Sequence, residues 1–390
     1  MKILLANFTK MINDTGGVAK VLTAFANEMT NRGHQVAVAY SDDRQGDFFY
    51  PISDKVKSYN LRHYNGKDVL FPLSMKIKRE LLKAVDIRKG RSVNDEFHTK
   101  YLLGAVQDIL QKFSPDIIVA FHPTASKILI CDMKTKIPVI TMSHGSPEDY
   151  FHTYPVDELP AIEHSTAHQV LVPSFIKPLI NRYPHLRVKV IGNVVPQYET
   201  PVDLSVLKER YKIIFIGRMV KNHKRPHLLI DAFIELAAEF PQWDVELWGG
   251  GGKKSYMKTM QAKIDKANLH DRIRFMGTTH DVESVLRTGD IFVFPSAYEG
   301  WGMSLTEAMS MGLPVMGYKN CVAVNELIRD NVTGILCEDG DKPLADALRK
   351  LMQNKALRVQ YGKAARESMK AYDANSIWNQ WENLLRETIC

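Results

Sequence analysis

Cysteine and long hydrophobic runs are both scarce in this sequence. No apolar run approaches the ~20 residues of a bilayer-spanning helix, and the first apolar stretch reaches polar residues at Asn7 too soon for a signal peptide. The four cysteines lack the spacing of a metal site or a disulfide framework: Cys131, Cys321, Cys337 and Cys390. We therefore expect reduced thiols in a cytoplasmic protein that is soluble or peripheral to a membrane.

The chain also lacks the fingerprint of a dinucleotide-binding enzyme. The glycine-rich run at 248–253 does not fit G-x-G-x-x-G, because Lys254 occupies the place of the last glycine. The alternative of a nicotinamide or flavin oxidoreductase is therefore disfavoured.

The composition is that of an ordinary globular protein with a modest excess of positive charge. The 390 residues are 45% hydrophobic and 24% charged, which is enough for two filled cores. Lysine and arginine number 51 against 44 acidic residues, giving a net charge of +7. Such an excess favours anionic partners, and charge alone leaves nucleotides, phospholipid head groups and nucleic acid open.

Short apolar segments of β character alternate with longer segments of helical periodicity, which predicts parallel α/β sheets. The predicted strands of the first half are 3–5, 36–39, 117–120, 139–142 and 170–172. Those of the second half are 213–216, 245–248, 273–276, 291–294, 315–317 and 334–337. The second half also has predicted helices at 225–240, 256–266, 282–286, 305–311 and 343–353.

A loop with two prolines at 194–203 separates the two series. We predict an α/β protein of two Rossmann-like domains with parallel sheets, 1–195 and 196–373, with a cleft between them. Apolar residues at helical spacing predict a final amphipathic helix at 376–389. Open parallel sheets bind ligands beyond the carboxyl ends of their strands, so we expect functional residues in the loops that follow strands.

A glycine pair, Gly16 and Gly17, stands between the first strand and an amphipathic helix. Glycines there let the backbone approach an anion and leave amide donors free to meet it. The alternative is a tight turn with no ligand.

A strand of the second half ends in Gly217 and Arg218, and a basic cluster follows at Lys221, His223, Lys224 and Arg225. Cations that converge from one side suit a diphosphate, because arginine supplies a planar fork and lysine a point charge. The alternative is a solvated basic loop.

The segment from Phe294 to Met311 passes from a strand through a glycine-broken loop into a helix. We expect the amides from Gly302 to Thr306, which include those of Met303, Ser304 and Leu305, to be free at the helix N-terminus and to bind an anion. Two carboxylates bracket them: Glu299 before the loop, and Glu307, expected inside the first helical turn. Carboxylates repel phosphate but accept hydrogen bonds from sugar hydroxyls. The alternative makes Glu307 a helix cap and Glu299 a surface acid.

His144 follows the strand at 139–142. It could hydrogen-bond a substrate hydroxyl or move a proton, since histidine titrates near neutrality. A structural role is equally open.

The pair Glu299 and Glu307, with seven residues between them, preceded by Gly217-Arg218 and Lys224, resembles family 4 of the retaining glycosyltransferases, which have the GT-B fold. The resemblance implies that Arg218 and Lys224 bind the donor diphosphate, Glu299 the transferred sugar and Glu307 the ribose. The amides after Gly302 would assist at the phosphates. By the same resemblance Gly16 and Gly17 match the family's N-terminal glycine loop, His144 its active-site histidine, and helix 374–390 packs back on the first domain.

The resemblance also implies a reaction. We expect transfer of a hexose or N-acetylhexosamine from a nucleotide sugar, preferably a UDP-sugar, with retention of the anomeric configuration. The expected acceptor is a glycan or a lipid-linked glycan in bacterial surface polysaccharide, lipopolysaccharide or glycoconjugate synthesis. No cofactor, metal or nucleic acid is expected. The family's usual glycine pair near Glu326 is replaced by Asn320-Cys-Val-Ala-Val-Asn325, so the sugar pocket is expected to differ. The alternatives are an epimerase or phosphorylase of the same shape, or a binding protein without activity.

The segment 71–91 combines an apolar stripe with seven cationic and two acidic residues. A basic amphipathic helix can lie on an anionic membrane, which predicts peripheral association at the inner face of the plasma membrane. The alternative is a helix whose stripe packs in the core and whose basic face is solvated.

Overall fold

The computed structural model describes residues 1–389. The chain forms two compact units, one of residues 1–192 with 378–389 and the other of residues 193–377. Within the described residues each unit contains one sheet, with seven strands in the first and six in the second, and all pairings in both sheets are parallel. Both Rossmann-like sheets confirm the predicted α/β class.

The first sheet has the order β3-β2-β1-β4-β5-β6-β7, so the chain starts in the middle and builds outward in both directions. Its central strands are apolar and buried on both faces because helices cover them. The strands are β1 Lys2–Asn7, β2 Gln35–Tyr40, β3 Lys57–Asn60, β4 Ile117–Ala120, β5 Val139–Met142, β6 Ala167–Val170 and β7 Val188–Val190.

The helices of this unit connect successive strands. They are α1 Gly17–Asn31, α2 Leu73–Val85, α3 Ile87–Phe97, α4 Leu103–Phe113, α5 Pro123–Ser126, α6 Pro147–Thr153, α7 Leu159–Glu163 and α8 Ile176–Arg182. Shorter helical turns lie at Leu61–Gly66, His98–Leu102, Lys127–Asp132, Val156–Glu158 and Pro173–Phe175.

The last helix, α16 (Ala374–Ile389), packs against α1. The rings of Trp378 and Trp381 lie edge-on to Phe25, with centroids 5.6 and 5.0 Å away. At the edge of this contact the Arg32 guanidinium donates to Glu382 over 3.0 Å. The buried tryptophans explain the apolar face of the terminal segment.

The second sheet has the order β10-β9-β8-β11-β12-β13, which is the doubly wound arrangement again. Its strands are β8 Tyr211–Ile216, β9 Trp243–Trp248, β10 Ile273–Gly277, β11 Ile291–Val293, β12 Val315–Tyr318 and β13 Gly334–Cys337. The helices are α9 Pro226–Leu236, α10 Lys254–Lys266, α11 Val282–Arg287, α12 Met303–Met311, α13 Val324–Leu327, α14 Asp341–Gln353 and α15 Lys355–Met369.

One strand prediction was wrong in register and two strands were missed. The strand expected at 170–172 lies at Ala167–Val170, because His168 and Gln169 are buried polar residues that interrupt the apolar pattern. Strands β3 and β7 lie at the two edges of the sheet, where half-exposed polar residues carry no apolar run. None of the helices in residues 1–389 is long and apolar enough to cross a bilayer.

Two carboxyl groups are buried together in the first unit. Asp95 of α3 and Glu158 lie in hydrogen-bonding contact, and Thr124 donates to the second oxygen of Glu158 over 2.9 Å. Burial, and then the other carboxyl group, raise the pKa of Glu158 to about 9; burial raises that of Asp95 to about 6. Asp95 Oδ2 and Glu158 Oε2 are buried without a donor, and one proton held between the two carboxyl groups would satisfy both atoms.

Candidate active site

The ends of strands β8 and β9 approach each other through glycine. The amide of Gly217 donates to the carbonyl of Trp248 over 2.9 Å, and a Cβ on Gly249 would lie 2.0 Å from the Gly217 oxygen. No side chain fits there, so Gly249 is explained by close backbone packing within the protein.

Two loops of the second unit are tied together beside these strand ends. The amide of Ala297 donates to the carbonyl of His223 over 2.8 Å, and the Arg225 guanidinium donates to the carbonyl of Pro295 over 3.0 Å. Arg225 also binds Asp339 through two hydrogen bonds of 2.8 and 2.9 Å. Arg225 therefore holds the loop that carries Glu299, a positioning role that composition of the basic cluster alone did not reveal.

Lys224 and Glu299 form a buried ion pair. The Lys224 ammonium lies 2.5 Å from Glu299 Oε1, with 13% and 9% of the two side chains exposed. Burial raises the pKa of Glu299, but the charge of Lys224 and the His223 ring, 3.4 Å away, outweigh it and lower the pKa to about 2. Glu299 is thus ionised and buried, which excludes the alternative of a surface acid.

Helix α12 begins at Met303 because Gly302 adopts a left-handed conformation, φ +90° and ψ +66°. The first three amides of the helix, including those of Ser304 and Leu305, lack intrahelical acceptors. The amide of Thr306 donates to the Gly302 carbonyl over 3.1 Å, so its inclusion among the free donors was wrong. The Ser304 hydroxyl donates to the carbonyl of Ile216 over 2.8 Å and ties the helix start to the end of β8.

The aromatic ring of Phe294 joins the ion pair to this helix start. The Lys224 ammonium lies 4.5 Å from the ring centroid, and a Cβ on Gly302 would approach the same ring to 3.1 Å. The Lys224 cation, with Glu299 bound to it, and the start of α12 thus lie against one side chain. That combination suits a ligand with phosphate at one end and hydroxyl groups at the other.

Glu307 is buried in α12. The helix starts two residues earlier than predicted, so Glu307 follows the first turn, and both its expected place in that turn and the helix-cap alternative were wrong. Tyr198 was missed by the sequence analysis: burial, and then the nearby Glu307 carboxylate, raise the pKa of its phenol. A lone tyrosine in an interdomain loop gives no pattern by which to find it.

Arg218 does not join this cluster. Its side chain is exposed, its carbonyl accepts the amide of Val220 over 2.8 Å, and within residues 1–389 its guanidinium has no hydrogen bond or ion pair. It follows β8 as predicted.

The glycine pair of the first unit forms the start of α1. Gly16 is the N-cap residue and Gly17 the first helical residue, and the amide of Gly16 donates to the Asp14 carboxylate over 2.8 Å. The preceding loop is held by buried Asp42, which accepts the amide of Ile12 over 2.8 Å. Asp14 therefore already occupies one of the amides expected to meet an anion.

His144 lies in an aromatic cluster of the first unit. Its ring stacks on Phe121 at 5.4 Å and lies 6.0 Å from His122, while its amide donates to the Tyr150 hydroxyl over 2.8 Å. Burial, and then His122, lower the pKa of His144 to about 3, and its Nε2 is buried without a partner. A neutral ring with a buried, unpaired Nε2 favours hydrogen bonding over proton transfer. His122, a lone histidine after β4, was missed.

The segment from Asn320 to Asn325 lies close to the ion pair. Burial, and then the charge of Glu299, raise the pKa of the Cys321 thiol to about 12. Ala323 has φ +72° and ψ −47°, a region that non-glycine residues rarely adopt. This loop keeps a glycine-like backbone although it has no glycine.

We expect Ala323→Gly to be less destabilising than Ala308→Gly by at least about 1 kcal/mol, because it relieves backbone strain. Both alanines are fully buried, but Ala308 lies inside α12, where glycine only weakens the helix. Urea unfolding of the two variants measures the difference. Equal losses of stability would show that Ala323 is not strained.

Two protein-family descriptions match the chain. Residues 15–196 match "Glycosyltransferase Family 4" and residues 199–368 match "Glycosyl transferases group 1". The chain is 25% identical to an uncharacterised glycosyltransferase of Haemophilus influenzae over 197 residues, 50% of this chain and 55% of that one. It is 28% identical to the poly(ribitol-phosphate) alpha-N-acetylglucosaminyltransferase of Staphylococcus aureus over 208 residues, 53% and 41% of the two chains.

These matches span about half the length of the relatives, or less. The likeness to solved structures extends over the whole chain: HepE of Anabaena, solved with UDP and glucose, superposes with a TM-score of 0.73 over 99% of both chains at 20% identity. That likeness shows the fold. With both halves matched, the chain belongs to the family 4 type of glycosyltransferases and has the GT-B fold.

Proposed function

We propose that the enzyme transfers a hexose or N-acetylhexosamine from a UDP-sugar to a glycan acceptor and retains the anomeric configuration. The observation that carries this proposal is the buried Lys224–Glu299 pair next to the free amides of α12. Support comes also from HepE, which is solved with UDP and glucose, and from the name of the Staphylococcus aureus relative, an alpha-N-acetylglucosaminyltransferase.

On the donor side, each group takes the part of the ligand that its charge suits. Ionised Glu299 can only accept hydrogen bonds, so it binds hydroxyls of the transferred sugar. Lys224 and the amides of Met303, Ser304 and Leu305 stabilise the negative charge that develops on the leaving diphosphate. Exposed Arg218 reorients to add a second cation. Glu307 accepts from the ribose hydroxyls.

In this proposal the protein's own cations and amides neutralise the diphosphate, and no metal or other cofactor takes part. The reaction proceeds with no covalent sugar on the protein: the acceptor attacks the face from which the diphosphate leaves, and that phosphate takes the acceptor's proton. In the first unit, neutral His144 hydrogen-bonds a hydroxyl, while the amides after Gly16 and Gly17 bind an anionic or acceptor group.

The proposed acceptor is a growing glycan or a lipid-linked glycan of bacterial surface polysaccharide, lipopolysaccharide or glycoconjugate synthesis. The proposed place is the cytoplasm, at the inner face of the plasma membrane. The Staphylococcus aureus relative supports the class of acceptor, since its name describes transfer to a poly(ribitol-phosphate).

The donor is tested by thermal unfolding with UDP-, GDP- and ADP-sugars. A ligand that binds only the folded protein stabilises it by about 2.7 kcal/mol at 100 times its Kd, so UDP-sugars are expected to raise Tm while ADP-sugars do not. The product is tested by NMR of the elongated acceptor, which is expected to show the donor's anomeric configuration in the presence of EDTA. A rise in Tm with GDP-sugars alone would overturn the UDP-sugar donor. An inverted product would overturn retention, and a reaction that EDTA inhibits would overturn the absence of a metal.

A further inference from the structure

Helix α2 is anchored to the first unit by one face only. Met75 is buried in the core, Leu82 packs partly against it, and the ring of Phe71 lies 4.6 Å from that of Phe97 in α3. The Arg79 guanidinium lies over the Phe71 ring at 5.2 Å and so belongs to this inner face.

The opposite face of α2 is apolar and exposed. The exposed fractions are 72% for Leu73, 54% for Ile77, 66% for Leu81 and 80% for Val85. At about 100° per residue these positions form one continuous stripe along the helix. The alternative that this stripe packs into the core is therefore wrong.

Lysines flank the stripe on both sides. Helical spacing places Lys76 and Lys83 along one edge and Lys78 along the other. Glu80 lies on the same side as Lys83, whose ammonium is 4.0 Å away, and Lys78 pairs with Glu96 of α3 over 2.6 Å. On α2 itself the three lysines outnumber this one glutamate, so the exposed face is apolar along its middle with an excess of lysine at its edges, the arrangement of helices that lie in the interface of an anionic membrane.

The stripe is presented by a closely packed hairpin of α2 and α3. A Cβ on Gly90 of α3 would lie 2.6 Å from the Cβ of Lys83, so the two helices touch backbone to side chain at this point. Close packing, together with the buried face, fixes the direction in which the stripe points.

We propose that the exposed face of α2 docks on a membrane surface rich in anionic phospholipid. The occupant is identified by charge complementarity: a second copy of this chain would set one positive face against another, whereas an anionic leaflet offers acyl chains to the leucines and head groups to the lysines. This inference rests on α2 alone and does not depend on the reaction proposed above.

The test is co-sedimentation of the full chain with two kinds of vesicle, pure phosphatidylcholine and equimolar phosphatidylcholine with phosphatidylglycerol. We expect binding to the anionic vesicles, weakened at high salt, and at least about tenfold weaker binding for Leu73→Gln/Ile77→Gln/Leu81→Gln. A similar loss is expected for Lys76→Gln/Lys83→Gln, which leaves Arg79 on the inner face intact. The matched control is Leu207→Gln/Val359→Gln, two exposed apolar residues of the second unit that should bind as the wild type does.

Light scattering and near-ultraviolet circular dichroism accompany each variant. Because the replaced side chains are exposed, the variants are expected to keep the wild-type fold and mass. Unchanged vesicle binding by the triple glutamine variant would overturn the proposal. So would concentration-dependent dimers, abolished by that variant, in a protein that binds neither kind of vesicle.

Discussion

Replacing Lys224 by methionine is expected to reduce kcat/KM for sugar transfer by about 100-fold or more and to lower the free energy of unfolding by about 3–5 kcal/mol. The first effect comes from the loss of a cation at the leaving diphosphate. The second arises because Glu299 would stay buried without the partner that lies 2.5 Å away, so that it either keeps an uncompensated charge or must take up a proton. Steady-state kinetics and urea unfolding measure the two effects separately.

A second substitution separates catalysis from folding. In Lys224→Met/Glu299→Gln the buried charge is gone, so stability is expected to return while transfer stays at least as low as in either single variant. Lys208→Met is the matched control, since Lys208 pairs with buried Asp290 at 2.8 Å in the same unit. It should lower stability and leave kcat/KM unchanged. Wild-type kcat/KM in Lys224→Met would refute the assignment of the site.

The second large effect concerns pH and the buried pair of Asp95 and Glu158. The folded-state pKa of Glu158, about 9, lies well above the value of an exposed glutamate, so between about pH 4.5 and 9 the folded state holds more protons than the unfolded one. The contribution of Glu158 to the free energy of unfolding is therefore greatest below pH 4.5 and decreases as the pH rises toward 9. We expect Glu158→Gln, which keeps a hydrogen-bonding side chain without the charge, to gain stability over the wild type at pH 8.5 by a few kcal/mol at most.

The measurement is urea unfolding of both proteins from pH 5 to pH 9. The stability gained by Glu158→Gln should shrink steadily as pH is lowered. Glu163→Gln removes an exposed acid of the same unit and should follow the wild type at every pH. A constant difference between Glu158→Gln and the wild type would mean that the pair shares no proton.

The fold was predictable because the central strands of both sheets are short, apolar and buried on both faces. The short run of apolar residues at Ile117–Ala120, for example, is typical of a buried parallel strand. Prediction failed where polar residues enter the sheet, as at His168, and where edge strands lack an apolar run. The exposure of the apolar stripe of α2 could not be predicted either. A periodic stripe indicates that one face of a helix is apolar, but it does not indicate whether another surface covers that face.

The site was predictable in its parts but not in its contacts. The spacing of Glu299 and Glu307 and the position of Lys224 followed from sequence patterns. Glu299 binds Lys224 directly, and Arg225 holds the loop that carries Glu299. These contacts could not be predicted because they join two segments some seventy residues apart, which meet at the ends of neighbouring strands. Tyr198 and His122 stand alone in the sequence, and only the folded chain gives them neighbours.

The position of α16 at the end of the described chain means that the first unit is completed last during synthesis. The first unit takes its last helix from residues 378–389, which leave the ribosome only after the whole of the second unit has been made. Until then the face of α1 around Phe25 lacks the two indole rings that cover it. The second unit, whose residues are contiguous, is therefore complete along the chain before the first.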